Sequence, residues 1–467
     1  MKRIVIVMMA IGMAFLFSSC GAKKETFCTE DTPWNHGSFA IMETDDGYYY
    51  NQGKGGVIHG KMYYVLQCLS YVDKKTGMQI YLCDKPECAH EGENDCESTY
   101  KNLRADNSVL YGGSIYVLGT VTEGKTVSID LYKASLDGST MDKVGNVIQA
   151  ENTKDQSIYC SKSSTFFPFD HAEDSCFIIH DGYAYITYYL QLGDVSSGLK
   201  GAGVCRMNLE NGETEEIYKS PYVSSSFPIR LTAVGDYVYF NLGETGTVQK
   251  SRRWVISARE LQKVNKRFIG TEEEEKKSGK DCPGFVSVFY SADRVYGFDN
   301  DAPEGEVWFT ALDAETGEVL EEEEIKIRLN EDGVSYGGIK TAFLYDGKLF
   351  LGFENVACFY DLEGTLLARV KAPLDSLDKT TEYGEKILGG TGTMTAATLY
   401  RDYKINNGKL YFLFSSQAEE MRSNAMYEAG VENHFCFQKV HVFSCSLEHA
   451  LQGKEEWKEA YVTEQGR

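Results

Sequence analysis

The chain has 467 residues, with 47 Lys and Arg against 69 Asp and Glu, a formal charge of −22. That excess of negative charge excludes nucleic acid and anionic membrane surfaces as electrostatic partners. The 45 glycines and 31 tyrosines, with only 8 prolines, suit a turn-rich β protein rather than a disordered tether.

The N-terminus reads MKRIVIVMMAIGMAFLFSSCGAKKE. Lys2 and Arg3 are a short basic region, and residues 4–17 are apolar apart from one glycine. The run has the length of a signal peptide's apolar region and is too short to span a membrane comfortably. Ser18 and Ser19 then precede Cys20. This order resembles the lipobox of bacterial lipoproteins, although Phe17 takes the place usually held by Leu. The resemblance implies cleavage before Cys20 and lipidation of its thiol. Residues 1–19 are then a signal peptide, residues 20–36 a lipidated tether and residues 37–467 the body. Several acyl chains make a durable anchor, since each buried CH2 contributes about 0.8 kcal/mol. The expected location is the outer face of the cell membrane.

The body repeats. An apolar stretch, a turn with Gly or Asp-Gly, and an alternating aromatic and aliphatic stretch recur seven times, at 57–66, 109–119, 177–189, 232–243, 288–298, 342–353 and 403–414. The turn positions Gly60, Gly113, Gly182, Gly235, Asp293, Gly347 and Gly408 stand 53 to 69 residues apart. Asp-Gly and Asn-Gly supply the positive φ angles of two-residue hairpin turns. The alternation puts every second side chain on one sheet face. A second hairpin follows most copies, as in 130–144, 204–218, 307–321, 356–370 and 440–457. Two hairpins make four strands, and four-stranded units repeated radially are the blades of a β-propeller. The expected fold is therefore all-β, a β-propeller of about seven four-stranded blades. The fourth unit is the least regular, because 252–268 lacks the closing turn. Residues 44–52 are either an extra strand pair or the strand that closes the ring.

The stretch YLCDKPECAHEGENDC carries Cys83, Cys88, His90 and Cys96 within fourteen residues. With the lipobox and the repeats, this run resembles β-propeller-type surface lipoproteins of anaerobic gut clostridia, on Leu82, Cys83, Lys85, Pro86, Cys88, His90, Cys96 and Cys20. The resemblance implies location and fold and carries no catalytic residues across. Other propeller signatures are absent or incomplete. There is no sialidase box and no WD dipeptide. The turns at 311–321 and 71–81 are similar to a quinoprotein turn, with Glu321 and Tyr81 where that turn has tryptophan.

The cluster is either a turn with unpaired thiols or the seat of one of three chemistries. Cys83, Cys88, His90 and Cys96 make a Cys3His set of the kind that binds structural zinc, without the C-x2-C knuckle of zinc ribbons. One disulfide among Cys83, Cys88 and Cys96, with Cys68 as a further partner, would staple the loop by about 2–4 kcal/mol. A cysteine nucleophile would need a positioned base, and His90 is its only near neighbour in sequence. Cys205, Cys358, Cys436 and Cys445 lie in strand-like apolar contexts and read as small buried hydrophobes. The acidic stretches 170–174 and 299–306 could ligate calcium through oxygens but lack the spacing of a dedicated loop. The sequence assigns no cofactor.

The expected function is a surface-anchored binding or scaffold module, not an enzyme, for a glycan, peptide or protein partner. The alternative is an extracellular glycan hydrolase or lyase with a carboxylate site at one end of the ring. The ligand-bearing loops would be 151–175, 270–284 and 375–398.

Overall fold

The computed structural model describes residues 41–54, 57–58, 61–62, 66–83, 103–151, 156–159, 177–192, 200–223, 230–234, 237–243, 251–257, 286–291, 293–298, 302–313, 319–329, 339, 341–353, 355–373, 400–418 and 437–465. The expected signal peptide and tether (residues 1–36, with Cys20), Cys88, His90, Cys96 and the loops named above lie wholly or largely outside them.

The described residues form antiparallel sheets, five of four strands, one of five and one of three, with a separate two-stranded hairpin. The protein is an all-β propeller. The sheets are numbered here along the chain. Sheet 1 runs Met42–Glu43, Gly47–Lys54, Leu66–Asp73 and Gln79–Tyr81. Sheet 2 runs Leu103–Tyr111, Ser114–Glu123, Thr126–Ala134 and Met141–Glu151. Sheet 3 holds Gln156–Tyr159, Phe177–His180, Tyr183–Leu192, Lys200–Asn208 and Thr214–Val223. Sheet 4 holds Arg230–Val234, Tyr237–Gly243 and Ser251–Ser257, without a fourth strand among the described residues. Sheet 5 runs Val286–Tyr290, Arg294–Phe298, Glu306–Asp313 and Ile325–Arg328. Sheet 6 runs Thr341–Tyr345, Lys348–Gly352, Val356–Tyr360 and Leu366–Lys371. Sheet 7 runs Tyr400–Asn406, Lys409–Ala418, Phe437–Ser446 and Lys458–Gln465.

Turn chemistry sets these hairpins. Asp346 (φ 47) and Gly347 (φ 65) join the first two strands of sheet 6, and Asn407 (φ 48) and Gly408 (φ 69) do so in sheet 7. Such a pair of left-handed residues matches the twist of the flanking strands. In sheet 6 the middle strand Val356–Tyr360 is buried at every position, while the last strand alternates, with Ala368 and Val370 buried between exposed neighbours. A middle strand buried on both faces means that sheet 6 packs against a neighbour on either side.

Apolar clusters trace that packing. Sheets 1 and 2 meet through Leu69, Leu82, Ile115 and Val117, and sheets 2 and 3 through Ile129, Leu131, Ile186 and Cys205. Sheets 5 and 6 meet through Phe309, Ile325, Leu351 and Cys358, and sheets 6 and 7 through Phe359, Val370, Tyr403 and Cys445. Sheet 7 then returns to sheet 1 through Ile41, Tyr48, Tyr50, Tyr411, Leu413, Val442 and Tyr461. The first and last sheets along the chain meet at this seam.

Two expectations about the strands need correction. The first repeat does not lie at 57–66: Val57–Ile58 and Lys61–Met62 form only a two-residue hairpin, outside sheet 1. Residues 42–54 supply the first hairpin of sheet 1 instead, with Met42 opposite Tyr49 and Glu43 opposite Tyr48. They are neither an extra pair nor a strand lent to the last sheet. In sheet 5 the closing strand is Ile325–Arg328, past an exposed 3-10 turn at Glu321–Glu323, and Val319 makes only a single bridge to Leu312.

Candidate functional site

A buried charged cluster lies at the seam of sheets 1 and 7. Glu43 ends the two-residue first strand, and its side chain is only 4% exposed. Lys74 Nζ approaches Glu43 Oε1 at 2.8 Å. Lys409 Nζ and the Tyr411 hydroxyl, both from sheet 7, also donate to the Glu43 carboxylate. Asn406 Nδ2 donates to the Ile41 carbonyl at 2.9 Å, tying the same strand by its backbone.

Local sequence explains each placement. Thr44 and Gly47 close a tight turn after Glu43, with Thr44 N donating to Gly47 O at 2.9 Å and Gly47 N to Thr44 Oγ1 at 3.2 Å. The next turn, Asp73 to Met78, is organised by Asp73 Oδ1, which accepts from the backbone N–H of Lys75 at 3.0 Å and of Thr76 at 2.7 Å. That turn carries Lys74 back over Glu43 and sets its Nζ 5.0 Å from the centre of the Tyr48 ring. Lys409 follows the Asn407-Gly408 turn and stands 6.0 Å from the same ring. The Tyr48 ring in turn packs 5.1 Å from that of Tyr461.

The electrostatics follow from burial and partners. Burial opposes ionisation of Glu43, but the hydrogen bonds from Lys409, Lys74 and Tyr411 outweigh it and hold the carboxyl below its usual range. Burial likewise opposes the charge on Lys409, and the hydrogen bond and charge of Glu43 outweigh it, raising the ammonium pKa. Burial and the Glu43 charge push Tyr411 far up, so its hydroxyl stays protonated. A carboxylate held ionised by three donors has no proton to give and little tendency to take one. Its chemistry is that of an ionic lock between sheets, not of a general acid.

A second buried carboxylate, Asp130, sits in sheet 2. It accepts from Lys143 Nζ at 2.7 Å, from Asn146 Nδ2 at 2.7 Å and from Ser128 Oγ at 3.3 Å. Asn146 lies at an irregularity in the pairing of its strand, and its carbonyl accepts from Thr214 Oγ1 of sheet 3 at 3.0 Å. This group is also satisfied internally and binds sheet 2 to sheet 3.

Of the Cys83, Cys88, His90 and Cys96 set, Cys83 alone is described. Its thiol is half-buried and makes no disulfide. It follows Gln79–Tyr81, the last strand of sheet 1, and Leu82 N still donates to Leu69 O at 2.9 Å. Cys83 therefore stands just past the end of a sheet 1 strand. Cys88, His90 and Cys96 lie outside the described residues, as does Cys20. Among the described residues no group of three or more His, Cys, Asp or Glu could hold a metal ion. Cys205, Cys358 and Cys445 are buried thiols, as their apolar contexts require. Glu43, Lys74, Lys409, Tyr411 and Asp130 carried no signal in the sequence, where each sits in an ordinary strand or turn.

No protein family matches the chain, and no curated protein matches it significantly. Solved structures do share its shape. It is similar to an oligogalacturonate lyase in complex with manganese, at 10% identity over 83% of this chain and 87% of that one, with a TM-score of 0.45. It is also similar to the β-propeller domain of the trilobed protease from Pyrococcus furiosus, at 11% identity over 91% and 98%, with a TM-score of 0.41. A third is the α-L-arabinanase of Penicillium chrysogenum, at 12% identity over 90% and 99%, with a TM-score of 0.30. Similarity at this level reports the fold alone. The expectation that the chain is not an enzyme is withdrawn: the solved structures it is similar to include an oligogalacturonate lyase and an α-L-arabinanase.

Proposed function

We propose that the chain is a lipid-anchored, outward-facing propeller that takes a neutral glycan at one end of its ring. The observation that carries the reading is the order of its parts: an apolar run ending at Cys20, a short polar stretch, and a propeller entered at Ile41. Such an order holds a rigid ring just outside the membrane, with loops from several blades converging on one end. The chain's aromatic content of 13% and its 69 acidic residues supply the two groups that hold sugars, flat apolar faces and hydroxyl acceptors. The charge of −22 disfavours polyanionic glycans. Two carboxylates about 5–9 Å apart at such an end would also cleave the glycan.

The test has two arms. The chain with Cys20→Ala should leave the membrane fraction and lose metabolic labelling by a fatty acid; retention of both in the variant ends the anchor reading. The ectodomain from residue 21 should bind arabinan or xylan saturably, and release of reducing ends would separate turnover from simple binding. Binding to none of a panel of neutral glycans ends the ligand reading.

A further inference from the structure

We propose that the propeller opens at the seam between sheets 1 and 7, and that Glu43 is the lock that keeps this seam shut. The argument rests on topology first. Among the described residues sheet 1 is built from residues 42–81 and sheet 7 from residues 400–465, so within them the two terminal sheets exchange no strand. A seam closed without strand exchange is held by side-chain packing and by the Asn406 bond to the Ile41 carbonyl, not by a strand ladder. Sheets 1 and 2, 2 and 3, 5 and 6, and 6 and 7 are each successive in the chain, so separating them would also strain the connection between them.

The composition of the seam fits a closure that can reopen. Four of its buried residues are tyrosines, Tyr48, Tyr50, Tyr411 and Tyr461. Glu43 then gathers Lys409 and Tyr411 from sheet 7 and Lys74 from its own sheet. An apolar contact weakens gradually as two surfaces part. A buried carboxylate loses all its donors from the far side at once, so the seam is either shut or open. The strand that carries Glu43 is only two residues long and pairs with one neighbour. Tension on the chain before Ile41 therefore falls on this lock.

The protein carries its own controls. Cys205 lies between sheets 2 and 3, Cys358 between sheets 5 and 6, and Cys445 between sheets 6 and 7, all buried. Val442, 1% exposed, holds the equivalent place between sheets 7 and 1. Val442→Cys is nearly isosteric and leaves the lock untouched. The intact chain carrying it is alkylated under native conditions, and the rate at each cysteine is read by peptide mass. The expected result is modification of position 442 at least tenfold faster than of Cys205, Cys358 and Cys445. Adding Glu43→Gln should raise the rate at 442 by a further tenfold and leave the three natural thiols unchanged. The proposal is overturned if position 442 reacts no faster than the natural thiols, or if Glu43→Gln accelerates all four alike. Should the double variant fail to fold, hydrogen exchange of the unmodified chain decides: the strands at 41–54 and 409–413 should exchange at least tenfold faster than Lys348–Gly352 and Val356–Tyr360, and equal rates overturn the proposal.

Discussion

Glu43 and Lys409 stand 366 residues apart in the chain, and their side chains meet as an ion pair across the seam of sheets 1 and 7. The Glu43 side chain is 4% exposed and that of Lys409 35%, so the pair is anchored in the core at its acidic end and wet at its basic end. Removing a buried partner leaves an uncompensated charge, which costs about 3–5 kcal/mol. Glu43→Gln should therefore lower unfolding stability by about 3 kcal/mol, measured by urea denaturation. Tyr411→Phe removes one hydrogen bond to a charged acceptor and should cost about 1.5–3 kcal/mol. The cycle of Glu43→Gln with Lys409→Met should show a coupling of at least about 1 kcal/mol, and additive losses would remove the pair from the stability of the ring.

The same pair sets a pH dependence. Glu43 has its folded pKa depressed, so its contribution is present above the unfolded value of 4.5 and is lost as pH falls through the lower folded value. Lys409 has its folded pKa raised, so its contribution is complete below 10.5 and is lost as pH rises through the higher folded value. The groups facing Glu43 are Lys74, Lys409 and Tyr411, with Tyr48 and Tyr461 beyond them. The stability difference between the wild type and Glu43→Gln should be flat from about pH 6 to pH 9 and should shrink below pH 4.5. A difference that persists undiminished at pH 2.5 would show that Gln disturbs packing rather than charge.

These relationships show what a sequence of this kind reveals. The hairpins at 181–182, 346–347 and 407–408 were legible because an Asp-Gly or Asn-Gly pair is nearly committed to left-handed backbone. The alternation in 348–352 was legible because one period covers a whole strand. The first repeat was misplaced for the same reason: residues 57–62 have a turn glycine and apolar neighbours, yet form only a two-residue hairpin. The true first hairpin turns at Thr44–Gly47, where Asp45 and Asp46 look like loop residues. The lock was not legible at all. A glutamate before a turn and a lysine after another have no spacing in common, and only closure of the ring makes them neighbours. Asp130 was hidden similarly, because its partners Lys143 and Asn146 lie across an irregular strand pair.

Tyrosine packing makes a third prediction. A Cβ on Gly203 would lie 2.3 Å from the ring of Tyr188, which is fully buried and donates its hydroxyl to Glu216. The hydroxyl end of the ring lies against the glycine and is held there by Glu216, so the ring has little room to yield. Gly203→Ala should lose about 1–3 kcal/mol. Pairing it with Tyr188→Leu, which clears the ring, should recover part of the loss. Recovery is read as the difference between the double variant and Tyr188→Leu alone, and a full undiminished penalty would place the strain in the backbone instead.

A fourth prediction concerns the thiols. Cys83 is half-buried at the end of the last strand of sheet 1 and bonds to no other cysteine, whereas Cys205, Cys358 and Cys445 are enclosed between sheets. Burial pushes the Cys445 thiol up to about 12, so it is both shielded and protonated at neutral pH. The thiolate is the reacting species. Brief alkylation of the native protein at pH 8 should modify Cys83 and spare the other three, with all four reacting after unfolding in denaturant. The comparison is made by peptide mass with zinc analysis on the same sample. Free reaction at Cys83 without bound zinc takes this residue out of both a disulfide and a Cys3His site. Protection of Cys83 that ends when a chelator removes one zinc per chain would instead place it among metal ligands with Cys88, His90 and Cys96, and would overturn the free thiol seen at the strand end.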